Sequence, residues 1–111
     1  NIMKIVKEDE LDGSGGVKYM IRGPQIDWGI IVLKPGDEKG SHLHNELAET
    51  FYIVEGTTTF LLDEGKELDA PAGTAVRLEA KESHGLKNNT DAPTKMVFIK
   101  EEYKPDDKVV L

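Results

Sequence analysis

The 111-residue chain is expected to fold as an all-β protein of the sandwich or barrel type. Three features of the sequence carry that expectation. Apolar residues fall in short runs, alternating or continuous, which is the pattern of half-buried and fully buried strands. Turn-forming residues break those runs at close intervals: Gly13-Ser14-Gly15-Gly16, Gly23-Pro24, Pro35-Gly36, Gly56, Gly65, Pro71-Ala72-Gly73 and the stretch Asn88 to Pro93. Helix is nearly absent, because no window sustains the apolar period of an amphipathic helix.

The strands follow in order. Ile2 to Val6 opens the chain, and Val17 to Ile21 comes after the glycine run. That run is a flexible turn and not a phosphate cradle, since no helix pattern follows it to offer an N-terminus to an anion. Trp28 to Lys34 is nearly continuous in apolar residues and ends at Pro35-Gly36. His42 to His44 and Thr50 to Val54 flank a polar break at Asn45-Glu46, and Gly56 separates the second of them from Thr57 to Asp63. Glu67 to Asp69 returns after the turn Asp63-Glu64-Gly65-Lys66, and Ala75 to Leu78, His84 to Lys87 and Met96 to Lys100 complete the set. The tail from Glu101 to Leu111 is charged, carries Pro105 in its middle and ends apolar at Val109-Val110-Leu111.

A chain of this length makes one domain, residues 1–111, with 38% apolar residues to fill its core. The formal charge of −7 and a pI near 4.9, with lysines and arginines scattered singly, argue against nucleic acid or an anionic membrane surface as partner. The absence of cysteine excludes disulfides, thiolate metal sites and a cysteine nucleophile, and suits a reducing compartment. Asn1-Ile2-Met3-Lys4 lacks the apolar region of an export signal, and no stretch approaches the roughly 18 apolar residues of a membrane span. A cytoplasmic location is expected, and the sequon Asn88-Asn89-Thr90 is then a chance match.

The only three histidines stand at His42, His44 and His84, and with Glu49 they make a set of three imidazoles and one carboxylate. Successive strand side chains point to opposite faces, so His42 and His44 project from one face and converge on one ion. Glu49 lies five residues past His44, an odd separation that would turn it away on a continuous strand. The strand must therefore break at Asn45-Glu46, and a second, adjacent strand start near Glu49 with Phe51 and Ile53 on the same inward face. A lone histidine is usually a solvated or core residue. An HxH pair bounded by glycines and followed by a carboxylate on strand-forming sequence points instead to a transition-metal site.

The string Gly36, five residues, His42, one residue, His44, four residues, Glu49, six residues, Gly56 resembles the first motif of the cupin superfamily at every named position. The second cupin motif runs glycine, five residues, proline, one residue, glycine, two residues, histidine, three residues, asparagine. One register uses Gly65, Pro71 and Gly73 but puts Val76 at the histidine position. The other matches Gly73, His84 and Asn88, with Glu79 and Lys81 in place of the proline and glycine. The second register is preferred, because it supplies the missing ligand and leaves Thr57 to Ala72 for two strands. The resemblance covers roughly Gly36 to Lys100 and implies a small cupin, a double-stranded β-helix or jelly-roll barrel, with motifs at 36–56 and 73–88. It also implies a homodimer, through sheet faces or swapped terminal strands, in which Val109-Val110-Leu111 docks on a neighbouring subunit if it does not fray.

Three neutral nitrogens and one anionic oxygen suit one divalent Mn, Fe, Co, Ni or Zn ion and suit Ca or Mg poorly. An octahedral ion would keep two positions open for a bidentate oxygen ligand, water or dioxygen. With all three imidazoles used as ligands, proton work falls to a metal-bound hydroxide, a carboxylate, a lysine or a tyrosine. Phe51 and Ile53 beside Glu49, and Leu86 and Asn88 beside His84, are expected to line the site, whereas no ligand fixes the parity of Trp28, Arg77, Met96 and Phe98, for which ordinary core or surface packing is a better reading than lining. Two function classes follow: a metal-dependent oxidoreductase, lyase or isomerase acting on a small oxygen-rich molecule, and a metal-stabilised module that binds a small ligand, or serves structurally, without turnover.

Overall fold

In a computed structural model of the protein, which describes residues 3–111, ten strands form two antiparallel sheets of five. They are β1 (Val17–Arg22), β2 (Asp27–Leu33), β3 (Glu38–His44), β4 (Glu49–Glu55), β5 (Thr57–Leu61), β6 (Glu67–Pro71), β7 (Ala75–Leu78), β8 (His84–Lys87), β9 (Thr94–Lys100) and β10 (Lys108–Val110). The first sheet has the order β1-β2-β9-β4-β7 and the second β10-β3-β8-β5-β6. Only the β1–β2 and β5–β6 hairpins stay within a sheet. Every other connection crosses between sheets and winds the chain into a jelly-roll barrel.

Period-two alternation makes each strand. In β9, Thr94, Met96, Phe98 and Lys100 are buried while Lys95, Val97 and Ile99 are half-buried, so one face is committed to the interior. The inner faces meet in a core of Ile31, Leu33, Phe51, Ile53, Phe60, Ala70, Leu78, Leu86, Met96 and Phe98. Burying each of the larger side chains contributes about 1.5–3 kcal/mol. Phe51 of the first sheet and Phe60 of the second meet edge to face, 5.3 Å between centroids, and lock the two layers together.

Both ends of the chain depart from the sequence expectation. Of the expected first strand, Ile2 lies outside the described residues, and Met3 to Lys7 run without regular structure into a 3-10 turn at Glu8–Glu10. Met3 and Ile5 are exposed, so this segment has no buried face to make it a strand. The tail finds a partner inside its own chain: β10 pairs with β3, Lys108 opposite His44, Val109 opposite Leu43 and Val110 opposite His42. A three-residue run is too short for periodicity to identify, and the free edge of β3 makes it a strand. Among the described residues, no helix is long and apolar enough to cross a membrane.

Candidate metal centre

The ends of β3 and β9 and the starts of β4, β8 and β10 meet at one end of the barrel, and the four expected ligands lie there. His42 and His44 share the inner face of β3, their ring centroids 5.5 Å apart. His84 opens β8 directly opposite His42. The β3–β8 register contains a bulge, since three steps from Lys39 to His42 oppose two from Leu86 to His84. The extra residue lies at Gly40-Ser41, and it brings Lys39, odd-spaced from His42, onto the same inner face.

The strand break after His44 is present, but it does more than lead to a neighbouring strand. β4 belongs to the opposite sheet, so Glu49 approaches the imidazoles from across the barrel and not from beside them. Asp107 shapes the crossing: its carboxylate accepts the backbone N–H of Glu46 (3.0 Å) and of Leu47 (3.2 Å), and its carbonyl accepts that of Asn45 (3.1 Å). Burial opposes ionisation of this carboxylate, yet the N–H groups of Glu46 and Leu47 hold its pKa below the ordinary value.

Glu49 Oε1 lies 3.0 Å from His44 Nε2, 3.2 Å from His84 Nε2 and 3.9 Å from His42 Nε2. Each of the four residues offers one donor atom within 4.8 Å of the others. Burial alone would push the Glu49 carboxyl upward, but the three facing imidazoles outweigh it and hold the group ionised, well below the usual carboxylate range.

The hydrogen bonding tests whether a cation fits. His84 Nδ1 is 3.3 Å from the Glu82 carbonyl and His42 Nδ1 is 3.5 Å from that of Gly40, so in both rings Nδ1 has an acceptor that allows it to carry the proton and leaves Nε2 available as a ligand. In that tautomer the Nε2 lone pairs would face the Glu49 carboxylate, and a positive charge among them would replace the Nε2–H donors that otherwise hold the carboxylate ionised. A divalent ion supplies that charge, and the donor set suits Mn, Fe, Co, Ni or Zn. His44 differs: its Nδ1 is buried without a hydrogen-bond partner, so only the Glu49 contact orients the ring.

The turn before His84 resolves the departure at Glu79 and Lys81. Lys81 takes φ +70°, the left-handed conformation a glycine would adopt, and its N–H donates to the His44 carbonyl at 2.7 Å. The Glu79 N–H is satisfied by the Glu82 carboxylate at 2.8 Å. The backbone keeps the turn without the residues that favour it.

His42 and Glu49 form part of the wall of a cavity of about 270 Å³, with His44 and His84 buried behind them. Phe51 and Leu86 line it as expected and Phe98 joins them, whereas Ile53, expected beside Glu49, belongs with Met96 to the core beneath, and Trp28 and Arg77 lie on the outer face of the first sheet. Asn88 is buried but holds a turn, its Nδ2 donating to the carbonyls of Leu33 (3.0 Å) and Ala92 (2.8 Å). Five polar lining residues were not anticipated: Tyr19, Lys39, Ser41, Lys100 and Lys108. Parity with Met96 and Phe98 was a usable signal for Lys100, whereas the bulge concealed Lys39. Tyr19 stacks edge-on against Phe98 at 5.1 Å, under the Arg22 guanidinium at 4.0 Å. A Cβ at Gly29 would collide with the Lys18 carbonyl and the Phe98 ring, so this glycine permits the stack.

The family model of the cupin domain matches residues 29–100. Among curated proteins none matches the chain in sequence. A conserved double-stranded β-helix protein from Klebsiella pneumoniae superposes with a TM-score of 0.84 at 18% identity, over 98% of this chain and 97% of that one. A sugar phosphate isomerase of the cupin superfamily from Silicibacter pomeroyi gives 0.68 at 24% identity, over 78% of this chain and 60% of that one. A polyketide cyclase from Streptomyces resistomycificus gives 0.77 at 18% identity, over 89% and 79%.

Proposed function

The chain belongs to the cupin family, and on that premise we propose that it binds one divalent transition ion through His42, His44, Glu49 and His84 and acts as a metal-dependent enzyme on a small oxygen-rich molecule. The reaction class is that of an oxidoreductase, lyase or isomerase. One observation carries this: through His42 and Glu49 the donor set opens onto a cavity of about 270 Å³, whereas a purely structural ion site is closed by its protein ligands. The similar structures differ in their named reactions, so the class rests on the site and not on the fold.

When bound, a divalent transition ion supplies Lewis-acid polarisation or, for Fe and Mn, redox chemistry. The chain's own residues do the rest. Phe51, Leu86 and Phe98 exclude water from the cavity, which strengthens each polar contact within it. With the imidazoles committed, the proton-carrying groups on the wall include Tyr19 and Lys100.

The test is elemental analysis of protein purified without chelator, then turnover assays of the Mn-, Fe-, Co-, Ni- and Zn-loaded forms. Dicarboxylates, diketones, catechols and sugar phosphates are screened aerobically and anaerobically. One ion per chain with turnover of one class is expected. Binding of azide or a small carboxylate without any turnover would replace the enzyme with a binding module, and a protein that takes up no ion would end both.

We further propose a cytoplasmic homodimer that engages neither nucleic acid nor membrane. The tail is used within its own chain, so support for the dimer shifts to the outer face of the first sheet. There Trp28 and Ile99, then Ile30, Val97 and Tyr52, lie side by side in adjacent ladder rows, and Tyr52 and Val54 are exposed. The acidic, cysteine-free composition supports the remaining points.

A further inference from the structure

Lys100 is a buried cation without an anion. It is 8% exposed, and its Nζ donates to Tyr19 Oη at 2.7 Å. Its two direct cross-strand partners are both carboxylates engaged elsewhere: Glu49 turns to the imidazoles, and Asp27 pairs with Arg22. Among the described residues, no carboxylate comes within ion-pair distance of Lys100. The Tyr19 and Phe98 rings, 5.0 and 5.9 Å from Nζ, offset only part of the lost hydration. An ammonium has three donors and the protein fills one, while Tyr19 Oη accepts from Lys100 and keeps its own proton to give. Both residues line the cavity that His42 and Glu49 wall, and Lys39 and Lys108 add two more cations. Among the described residues, Glu49 is the only one with a carboxylate side chain on that wall. In a chain of net charge −7, this is a local reversal of sign.

We propose that Lys100 and Tyr19 form an anion-binding subsite, and that the cavity takes a short dicarboxylate, with one end at the His–Glu centre and the other at this pair. The inference rests on the metal-centre reading above for the first end only. Charge complementarity gives the second end: an unpaired buried ammonium beside a hydroxyl donor is completed by a carboxylate. A volume of about 270 Å³, at the small end of ligand pockets, limits the chain between the two ends.

The experiment is calorimetric titration with malonate, succinate and glutarate, and with butyrate as a single-ended control, on Zn-loaded and metal-free protein. Lys100→Met should bind one ion per chain as before but bind the preferred dicarboxylate at least about tenfold more weakly, and Tyr19→Phe several-fold more weakly. Lys100→Met should also raise the melting temperature of the unliganded protein, by about 2–5 °C, because it removes an uncompensated buried charge. A merely structural lysine would instead lower it. Dicarboxylate binding by Lys100→Met within twofold of the wild type, or no binding by the wild type up to about 10 mM, overturns the subsite. Should Lys100→Met not fold, Lys100→Arg and Tyr19→Phe carry the same comparison, with partial retention expected in the first and the several-fold weakening in the second. Should the wild type take up no metal, the metal-centre reading fails alone, and Lys100-dependent binding in metal-free protein still decides the subsite.

Discussion

His42 and His84 stand directly opposite each other across the β3–β8 ladder, with ring centroids 4.3 Å apart and an interplanar angle of 62°. Directly opposed ladder positions bring side chains closer than diagonal ones. The separation of the two imidazoles is therefore a property of strand register. A one-residue slip of β3 would turn His42 and His44 out of the barrel together.

Removing one imidazole should remove the ion. His44→Ala is expected to reduce the metal content of the purified protein from one equivalent to near zero. It should also abolish the thermal stabilisation conferred by added ion, about 2.7 kcal/mol at a hundredfold excess over Kd. Unchanged stoichiometry by elemental analysis would sink the ligand assignment.

Asp107 should act on the site from a distance, by holding the loop between His44 and Glu49. Asp107→Ala strands the N–H groups of Glu46 and Leu47 and should cost about 1–3 kcal/mol in denaturant unfolding. The folded pKa of Asp107 lies below its unfolded value of about 3.8, so its contribution is complete above that pH and is lost as acid carries the solution down through the folded value. In chelator-treated protein, acid unfolding below about pH 4 should therefore be steeper for the wild type than for Asp107→Asn; equal slopes would show that the carboxylate is not coupled to folding.

Lys81 occupies a glycine conformation, and relieving it should stabilise the fold. Lys81→Gly is expected to gain up to about 1 kcal/mol, read as a higher denaturation midpoint at unchanged m-value. A loss would mean that the lysine side chain supports the turn.

Phe51 packs on Phe60 and on the His84 ring, with centroids 5.3 and 5.6 Å away. Phe51→Ala should cost about 3–5 kcal/mol and weaken metal binding as well, because His84 loses its support. If affinity stays unchanged in a variant that has lost stability, core and site are uncoupled.

For the dimer, light scattering at micromolar concentration should give about twice the 12.3 kDa chain mass. Tyr52→Lys should return the monomer, by placing a charge on the outer sheet face. A wild-type monomer would refute the assembly.

Much of this was legible in the sequence, and the exceptions have identifiable physical causes. That His42, His44, Glu49 and His84 come together could be read because strand parity, an obligatory break at Asn45-Glu46 and the HxH spacing are local properties of the chain. Which sheet Glu49 joins is a matter of long-range pairing, on which parity is silent. Lys39 was hidden because a bulge shifts parity by one residue. Asp107 and β10 were hidden because their partners, Glu46, Leu47 and the edge of β3, lie some sixty residues away in the chain. Lys100 was overlooked because a lysine ending an apolar strand usually marks the return to solvent.

Because the imidazoles come from one sheet and the carboxylate from the other, an ion shared by all four would rivet the mouth of the barrel shut. The two layers would then be free to breathe apart at that end only when the rivet is out. Amide hydrogen exchange at the start of β4 and the start of β8 should therefore slow on loading far more than at the β4–β5 turn around Gly56, at the other end of β4, making the opening of the sandwich a gauge of occupancy.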